Sequence, residues 1–428
     1  MSAQRIIEVW ADWLGLGGPT LMGRLLATLV RGKEVFSFEY DRDWLAGPHR
    51  QLLDPTLGLF AGPQYPSAGQ ANFGVLLDSC PDRWGRVLLS RREAQLARLH
   101  GRKPRRLRES DFLLGVHDGH RMGALRFRTD GAFLDDDDEL AVPPWTSLAA
   151  LEHACLQLER DDADQHPDYG TWLRMLIAPG SSLGGARPKA SVADEHHRLW
   201  IAKFPSRRDE VDVGAWEAVI HDLAGMAGVV TPEAQLQRLR GPHRSFLSRR
   251  FDRTDQGARR HFASAMTLLE RQEGADASDG VSYLELVELL AQQGARAGTD
   301  LEELWRRIAF FVCVSNTDDH LRNHGFLLEP NGWSLAPAYD MNPDPYGEGL
   351  RLNISESDNA QDLDLVLDVT PWFRVGATRA REILEEVVGA VRGWRAAARA
   401  RGIARSEQDR MEQAFRVAEG WRAGGAAR

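Results

Sequence analysis

The chain has 428 residues, enough for two or three domains of ordinary size, and its 43% hydrophobic and 27% charged residues are those of a soluble globular protein with a sizeable core. A formal charge of −9 excludes nucleic-acid binding through an overall positive field; the densest basic cluster, HGRKPRRLR at 100–108, reads most simply as a solvated face. Three widely spaced cysteines, Cys80, Cys155 and Cys313, with no CxxC pair, exclude a disulfide framework and a zinc ribbon.

MSAQRIIEVW lacks the basic-then-apolar build of a signal peptide, and no stretch approaches the roughly 20 apolar residues that span a bilayer. The expectation is a cytoplasmic protein with no membrane partner. The first 130 residues read as strand-rich. IIEVWADWL has strand composition, and EVFSFEY sets Val35, Ser37 and Glu39 against Phe36, Phe38 and Tyr40 with period two. DRWGRVLLSRREAQLARLHG predicts a helix closed by Gly101, and GALRFR a further strand. The acidic, Pro-containing 131–145 is the linker candidate, with a boundary near residue 140.

A helical pattern covers 147–177. The glycine-rich APGSSLGGARPKASV follows, then HRLWIAKFPS, where Leu199, Ile201 and Lys203 share one strand face and Trp200, Ala202 and Phe204 the other. GAWEAVIHDLAGMAGV is an amphipathic helix with Trp216, Val219, Ile220 and Leu223 as its buried stripe. SFLSRRFDR is strand-like. The rest is mostly helical, with capping boxes expected at Ser282/Glu285 and Thr299/Glu302. GFLLEPNGWSLAP predicts a hairpin turning at Asn331-Gly332, and ATRAREILEEVVGAVRGW a last amphipathic helix.

Several segments carry chemistry. In the glycine-rich loop, backbone N–H groups can approach an anion, and Lys189 adds positive charge, but neither GxxxxGK[ST] nor GxGxxG is present. A lysine on an otherwise apolar strand is costly without a partner. Glycine loop, Lys203 on a strand and Glu217 on the next helix is the order of parts in a kinase nucleotide lobe. In SNTDDHLRNHG, Asp318 and Asn323 have the D-x-x-x-x-N spacing of a kinase catalytic loop, and Asp340 follows the hairpin as a second oxygen ligand for a hard cation. His320 and His324 are four apart, but Leu321 stands where a zincin has Glu. A metal-dependent nuclease built on Asp318, Asp319 and Asp340 is a further reading of the same acids.

The motifs SSLGGARPKA, LWIAKF, RRFDR, NTDDHLRNHGF and LAPAYD, in that order, resemble the HipA family of bacterial toxin kinases over nearly the whole chain. The resemblance implies an α+β, divergent bilobal protein-kinase-like fold with a β-rich N-terminal subdomain (1–140), a nucleotide lobe (141–255) and a mostly α-helical C-terminal lobe (256–428). It implies an ATP- and Mg2+-dependent Ser/Thr kinase with Asp318 as general base and Asn323 and Asp340 on magnesium. ATP contacts would come from Gly184, Gly185, Ala186, Arg187, Pro188, Lys189, Lys203, Arg249, Arg250, Phe251, His320 and Asn323. Ser182 would be the inhibitory autophosphorylation site, with Ser181 adjacent. Partners implied are a HipB-like helix-turn-helix antitoxin, operator DNA through it, and a substrate such as an aminoacyl-tRNA synthetase. The alternative is a pseudokinase acting as co-repressor. Arg187-Pro188 departs from the family pattern. Asp319, beside the base, has no counterpart role; it is expected to raise the pKa of Asp318 or to bind a cation.

Overall fold

The alternation near the N-terminus becomes one sheet. The computed structural model describes residues 4–134, 143–177 and 187–422. Two units divide the chain, Met1–Arg208 with Arg249–Ala263 and Asp209–Ser248 with Ser264–Arg428. The boundary expected near residue 140 lies outside the described residues.

In the first unit β1 (Gln4–Ala11), β2 (Thr20–Val30), β3 (Lys33–Tyr40), β4 (Leu125–Thr129) and β5 (Ala132–Phe133) form an antiparallel sheet in the order β3-β2-β1-β4-β5. Ile7, Val9 and Ala11 of β1 and Phe36, Phe38 and Tyr40 of β3 face the core and are buried. Each large side chain so buried contributes about 1.5–3 kcal/mol. β2 was not legible: TLMGRLLATLV is rich in Leu, Met and Ala, good helix formers, and is a strand because β1 and β3 pair on both its edges. Gly23 sits opposite Val9 beside a register shift, where a Cβ would lie 2.4 Å from the Glu39 carbonyl.

The expected helix is Arg83–Leu99. Asp82 caps it through Oδ1, which accepts from Gly85 N at 2.7 Å, and Gly101 closes it at φ +62°. Helices Leu148–Leu158 and Tyr169–Ile177 pack on each other, and the second also packs on Arg83–Leu99. The basic cluster is partly pinned, with Arg102 on Glu93 at 2.6 Å and Arg105 on Asp111 at 3.0 Å. β6 (Lys189–Ala193) and β7 (Leu199–Lys203) form an antiparallel hairpin that sets Lys189 opposite Lys203.

Charges are buried in this unit. Arg121 meets Asp118 at 2.9 Å, and Asp252 is gripped by Arg250 (2.7 Å), Arg253 (2.6 Å) and the Gly123 amide (2.8 Å). Burial pushes the Asp252 carboxyl up, but the two guanidiniums outweigh it and hold it well below the usual range. Burial also opposes ionisation of Asp194, yet the Trp200 indole, Arg198 and backbone amides hold it at about 2. Both carboxyls are depressed, so their stabilisation is complete above the unfolded value near ~4 and is lost as pH falls below it. Hydrogen-exchange protection of this unit is therefore expected to decline from about pH 4 toward pH 2, and Asp252→Asn should flatten the decline while lowering protection at neutral pH. Unchanged wild-type protection across that window would contradict the assignment.

The second unit is mainly helical. Helix Val213–Met226 buries Trp216, Val219, Ile220 and Leu223, the expected stripe. Helix Tyr283–Gln293 opens with the Ser282/Glu285 capping box, formed in both directions. Helices Ala297–Val314 and Ala377–Val391 pack together, and Trp394 stacks on Phe415 at 4.3 Å. The Thr299/Glu302 box does not form: the helix begins three residues earlier than that cap would start it, at Ala297, behind Arg296. The hairpin of Gly325–Glu329 and Gly332–Leu335 pairs Glu329 with Gly332, so its two-residue loop is Pro330-Asn331, one residue before the expected turn. Among the described residues no helix is long and apolar enough to cross a membrane, and Cys80, Cys155 and Cys313 are buried and form no disulfide.

Candidate active site

From Ile308 to Val314 the central helix of the second unit is buried on every side, which fixes its C-terminal end rigidly. Ser315 ends it in the left-handed region, φ +51°, with its hydroxyl 2.9 Å from both Ala414 O and Gln361 Oε1. A non-glycine residue in that conformation is held by such contacts.

The next residues alternate. Asn316 is buried and Thr317 donates to Asp344 Oδ2 at 2.8 Å. Asp318 is exposed, and among the described residues no hydrogen bond or ion pair holds its carboxylate. Its carbonyl accepts from His320 N (3.0 Å) and Asn323 Nδ2 (3.1 Å), closing a tight loop. An amide that donates through Nδ2 leaves Oδ1, a hard oxygen, for a cation.

Asp319 points the other way. It is 1% exposed, and its Oδ2 lies 2.6 Å from Tyr283 Oη and 2.7 Å from His324 Nε2. An ionised carboxylate only accepts, so Nε2 carries the imidazole proton. The other nitrogen, Nδ1, has no partner among the described residues. Burial, then the charge of Asp319, pushes the Tyr283 phenol well above its usual value, so it stays a donor. The expectation that Asp319 binds a cation is corrected: its carboxylate is an internal anchor under the loop. Among the described residues no three His, Cys, Asp or Glu side chains converge as a metal site, which removes support from the three-aspartate nuclease reading. His324 is buried on Asp319, whereas His320 is half-buried beside Asp318.

Asp340 is brought alongside by its neighbours. Tyr339 donates to the Arg322 carbonyl at 2.6 Å, and Asn342 N donates to Asn316 Oδ1 at 3.0 Å. Both anchors belong to the Asp318 loop. Asp340 itself is half-buried with φ +57°, a strained conformation for a non-glycine residue. A pocket of about 230 Å³ opens beside Asp318, lined also by His320, Arg322, Glu273 and Arg351. Its rim carries the ion pair Arg322–Glu273 at 2.6 Å. An oxygen-only donor pair, Asn323 and Asp340, fits Mg2+.

In the first unit Lys203 lies on the half-exposed face of β7 with Leu199 and Ile201, while Trp200 and Ala202 are buried. Lys189, directly opposite, is 2% exposed, and its ammonium sits 3.2 Å from Asp82. That carboxylate offsets the repulsion of two lysines paired across a hairpin. Glu217 is buried on helix Val213–Met226 of the second unit. Pro188 accepts from Phe204 N at 2.9 Å, which holds the start of β6 to the end of β7. Arg187 is half-buried. Gly184, Gly185, Ala186, Ser181 and Ser182 lie outside the described residues.

The segment 249–251 is corrected in part. Arg250 is 2% exposed, and its guanidinium is engaged by Asp252 and by the carbonyls of His120 and Arg121, so that side chain is not available to a nucleotide. Arg249 is ion-paired with Asp255, and the Phe251 ring lies 6.1 Å from Phe262.

Sequence reasoning missed Tyr283, Tyr339 and Asn316, and it left Asp319 without a role. The only local signal was alternation: in an extended segment two adjacent aspartates face opposite sides.

The chain is 29% identical over 188 residues to a Haemophilus influenzae protein named "Putative kinase", covering 40% of this chain. It is 30% identical over 165 residues to "Putative kinase Y4dM" of Sinorhizobium fredii, covering 35% of this chain. The chain spans 54% and 39% of the lengths of these two relatives. HipA of Shewanella oneidensis MR-1, solved with HipB and its operator DNA, superposes with a TM-score of 0.67 at 16% identity, covering 97% of each chain. The fold is thus α+β and HipA-like. A family model described as the HipA-like C-terminal domain matches residues 181–394, half of the chain. On that match, the chain belongs to the HipA-like C-terminal domain family.

Proposed function

We propose that the chain is an ATP- and Mg2+-dependent serine/threonine protein kinase, the toxin of a toxin–antitoxin pair. The observation that carries this reading is the loop of the second unit. It presents Asp318 to solvent, orients the Asn323 amide through the Asp318 carbonyl, and draws Asp340 alongside through Tyr339 and Asn342. Asp318 accepts the proton of the substrate hydroxyl as its oxygen bonds to the γ-phosphorus and the bond to the β,γ-bridging oxygen breaks. Asn323 and Asp340 hold the magnesium ion, which when bound neutralises charge on the phosphates. Lys203 is proposed to bind phosphate oxygens of ATP, and His320 lies beside Asp318.

The matched HipA stands with HipB and operator DNA. By that likeness the partner is proposed as a helix-turn-helix antitoxin, with DNA engaged through it. The substrate is proposed as a translation component such as an aminoacyl-tRNA synthetase. Autophosphorylation is proposed at Ser182, where up to about two added negative charges would repel ATP phosphates.

Incubation with Mg·ATP followed by intact-mass measurement tests the reading. The expected result is a gain of one phosphate that maps to Ser182. ATP binding without any phosphate gain on protein or substrate would overturn it in favour of the co-repressor. Lys203→Ala is expected to weaken ATP binding about tenfold or more, because charge-assisted hydrogen bonds contribute about 1.5–3 kcal/mol. Equilibrium titration with a fluorescent ATP analogue measures this, and unchanged affinity would remove Lys203 from the site.

A further inference from the structure

The first unit holds a pocket of about 240 Å³ lined by Arg198, Arg249, Arg250, Arg253, Arg259 and His197, with Leu199 as its only large apolar wall. None of its lining residues is acidic. Arg198 pairs with Asp194 at 2.7 Å and Arg249 with Asp255, but Asp252 serves both Arg250 and Arg253. One carboxylate neutralises one charge, so that sharing leaves positive potential facing the pocket. Arg250 and Arg253 are held in place, their side chains 0% and 7% exposed, so the field is preorganised. The guanidinium fork matches the oxygens of phosphate. The volume is below the roughly 300–1,000 Å³ of sites for drug-sized ligands, and one leucine is no platform for a base.

We infer that this pocket binds a phosphate group, either inorganic phosphate or the end of a phosphomonoester, as a site separate from that for ATP. The inference does not depend on the kinase reading; an inactive chain would carry the same site.

Isothermal titration of the full chain with inorganic phosphate at constant ionic strength tests it. The expected result is one phosphate bound, with affinity unchanged by a saturating non-hydrolysable ATP analogue and by Lys203→Ala. Arg259→Gln and Arg198→Gln should each weaken it about tenfold or more. Arg198 has a side chain 29% exposed, so its variant decides the question if Arg259→Gln fails to fold by circular dichroism. Titration with glycerol 3-phosphate separates the two sources: tighter binding assigns a phosphomonoester, and binding equal to or weaker than phosphate assigns the inorganic ion. No phosphate binding, displacement by the ATP analogue, or wild-type affinity in a folded Arg198→Gln protein would each overturn the inference.

Discussion

Replacing Asp318 with alanine is expected to lower phosphate transfer by about 10²–10⁴-fold, the usual contribution of a positioned general base, while leaving the fold and ATP affinity intact. The expectation of an intact fold comes from the structure. Asp318 is exposed, and among the described residues no hydrogen bond or ion pair holds its carboxylate. The loop is closed by its carbonyl, which alanine keeps. Phosphate incorporation by mass spectrometry reads the rate, and analogue titration reads the affinity. A variant that transfers phosphate at the wild-type rate would remove Asp318 from the chemistry. One that unfolds would mean that Asp318 holds structure instead.

Asp319→Ala is expected to act oppositely, on stability first. It leaves the Tyr283 hydroxyl and the His324 N–H buried without their shared acceptor. The carboxylate's two partners become orphaned neutral donors, at about 1–3 kcal/mol each. The expected loss is therefore about 2–6 kcal/mol of the second unit's stability, read as lost hydrogen-exchange protection at 315–325. Phosphate transfer falls with it, because the same loop carries Asp318. Asp319→Asn keeps an acceptor and should cost less. Wild-type protection in Asp319→Ala would show that the anchor does not hold the loop.

These two neighbours show what a sequence can and cannot carry. The contact of Asp318 with Asn323 was legible because the two are five residues apart, and spacing is local. Asp319 was not: His324 is as near, but nothing local says that it turns inward with Asp319 onto Tyr283, thirty-six residues upstream. The Phe36/Phe38/Tyr40 face and the Ser282/Glu285 box were legible for the same local reason. β2 was not, since its Leu, Met and Ala composition favours a helix and only the flanking strands make it extended. The Thr299/Glu302 box lost to tertiary context: Asp300, inside it, accepts instead from Leu335 N at 3.0 Å, tying the helix to the hairpin. Arg250 misled because a motif names a residue without saying which way its side chain points.

The tie between Tyr339 and the loop grips a carbonyl. It is the backbone of Arg322 that accepts, while the Arg322 side chain lines the pocket beside Asp318. The placement of Asp340 and the chemistry of the pocket are thus decoupled at one position. Evolution can change the side chain at 322, and with it what the pocket recognises, without moving Asp340.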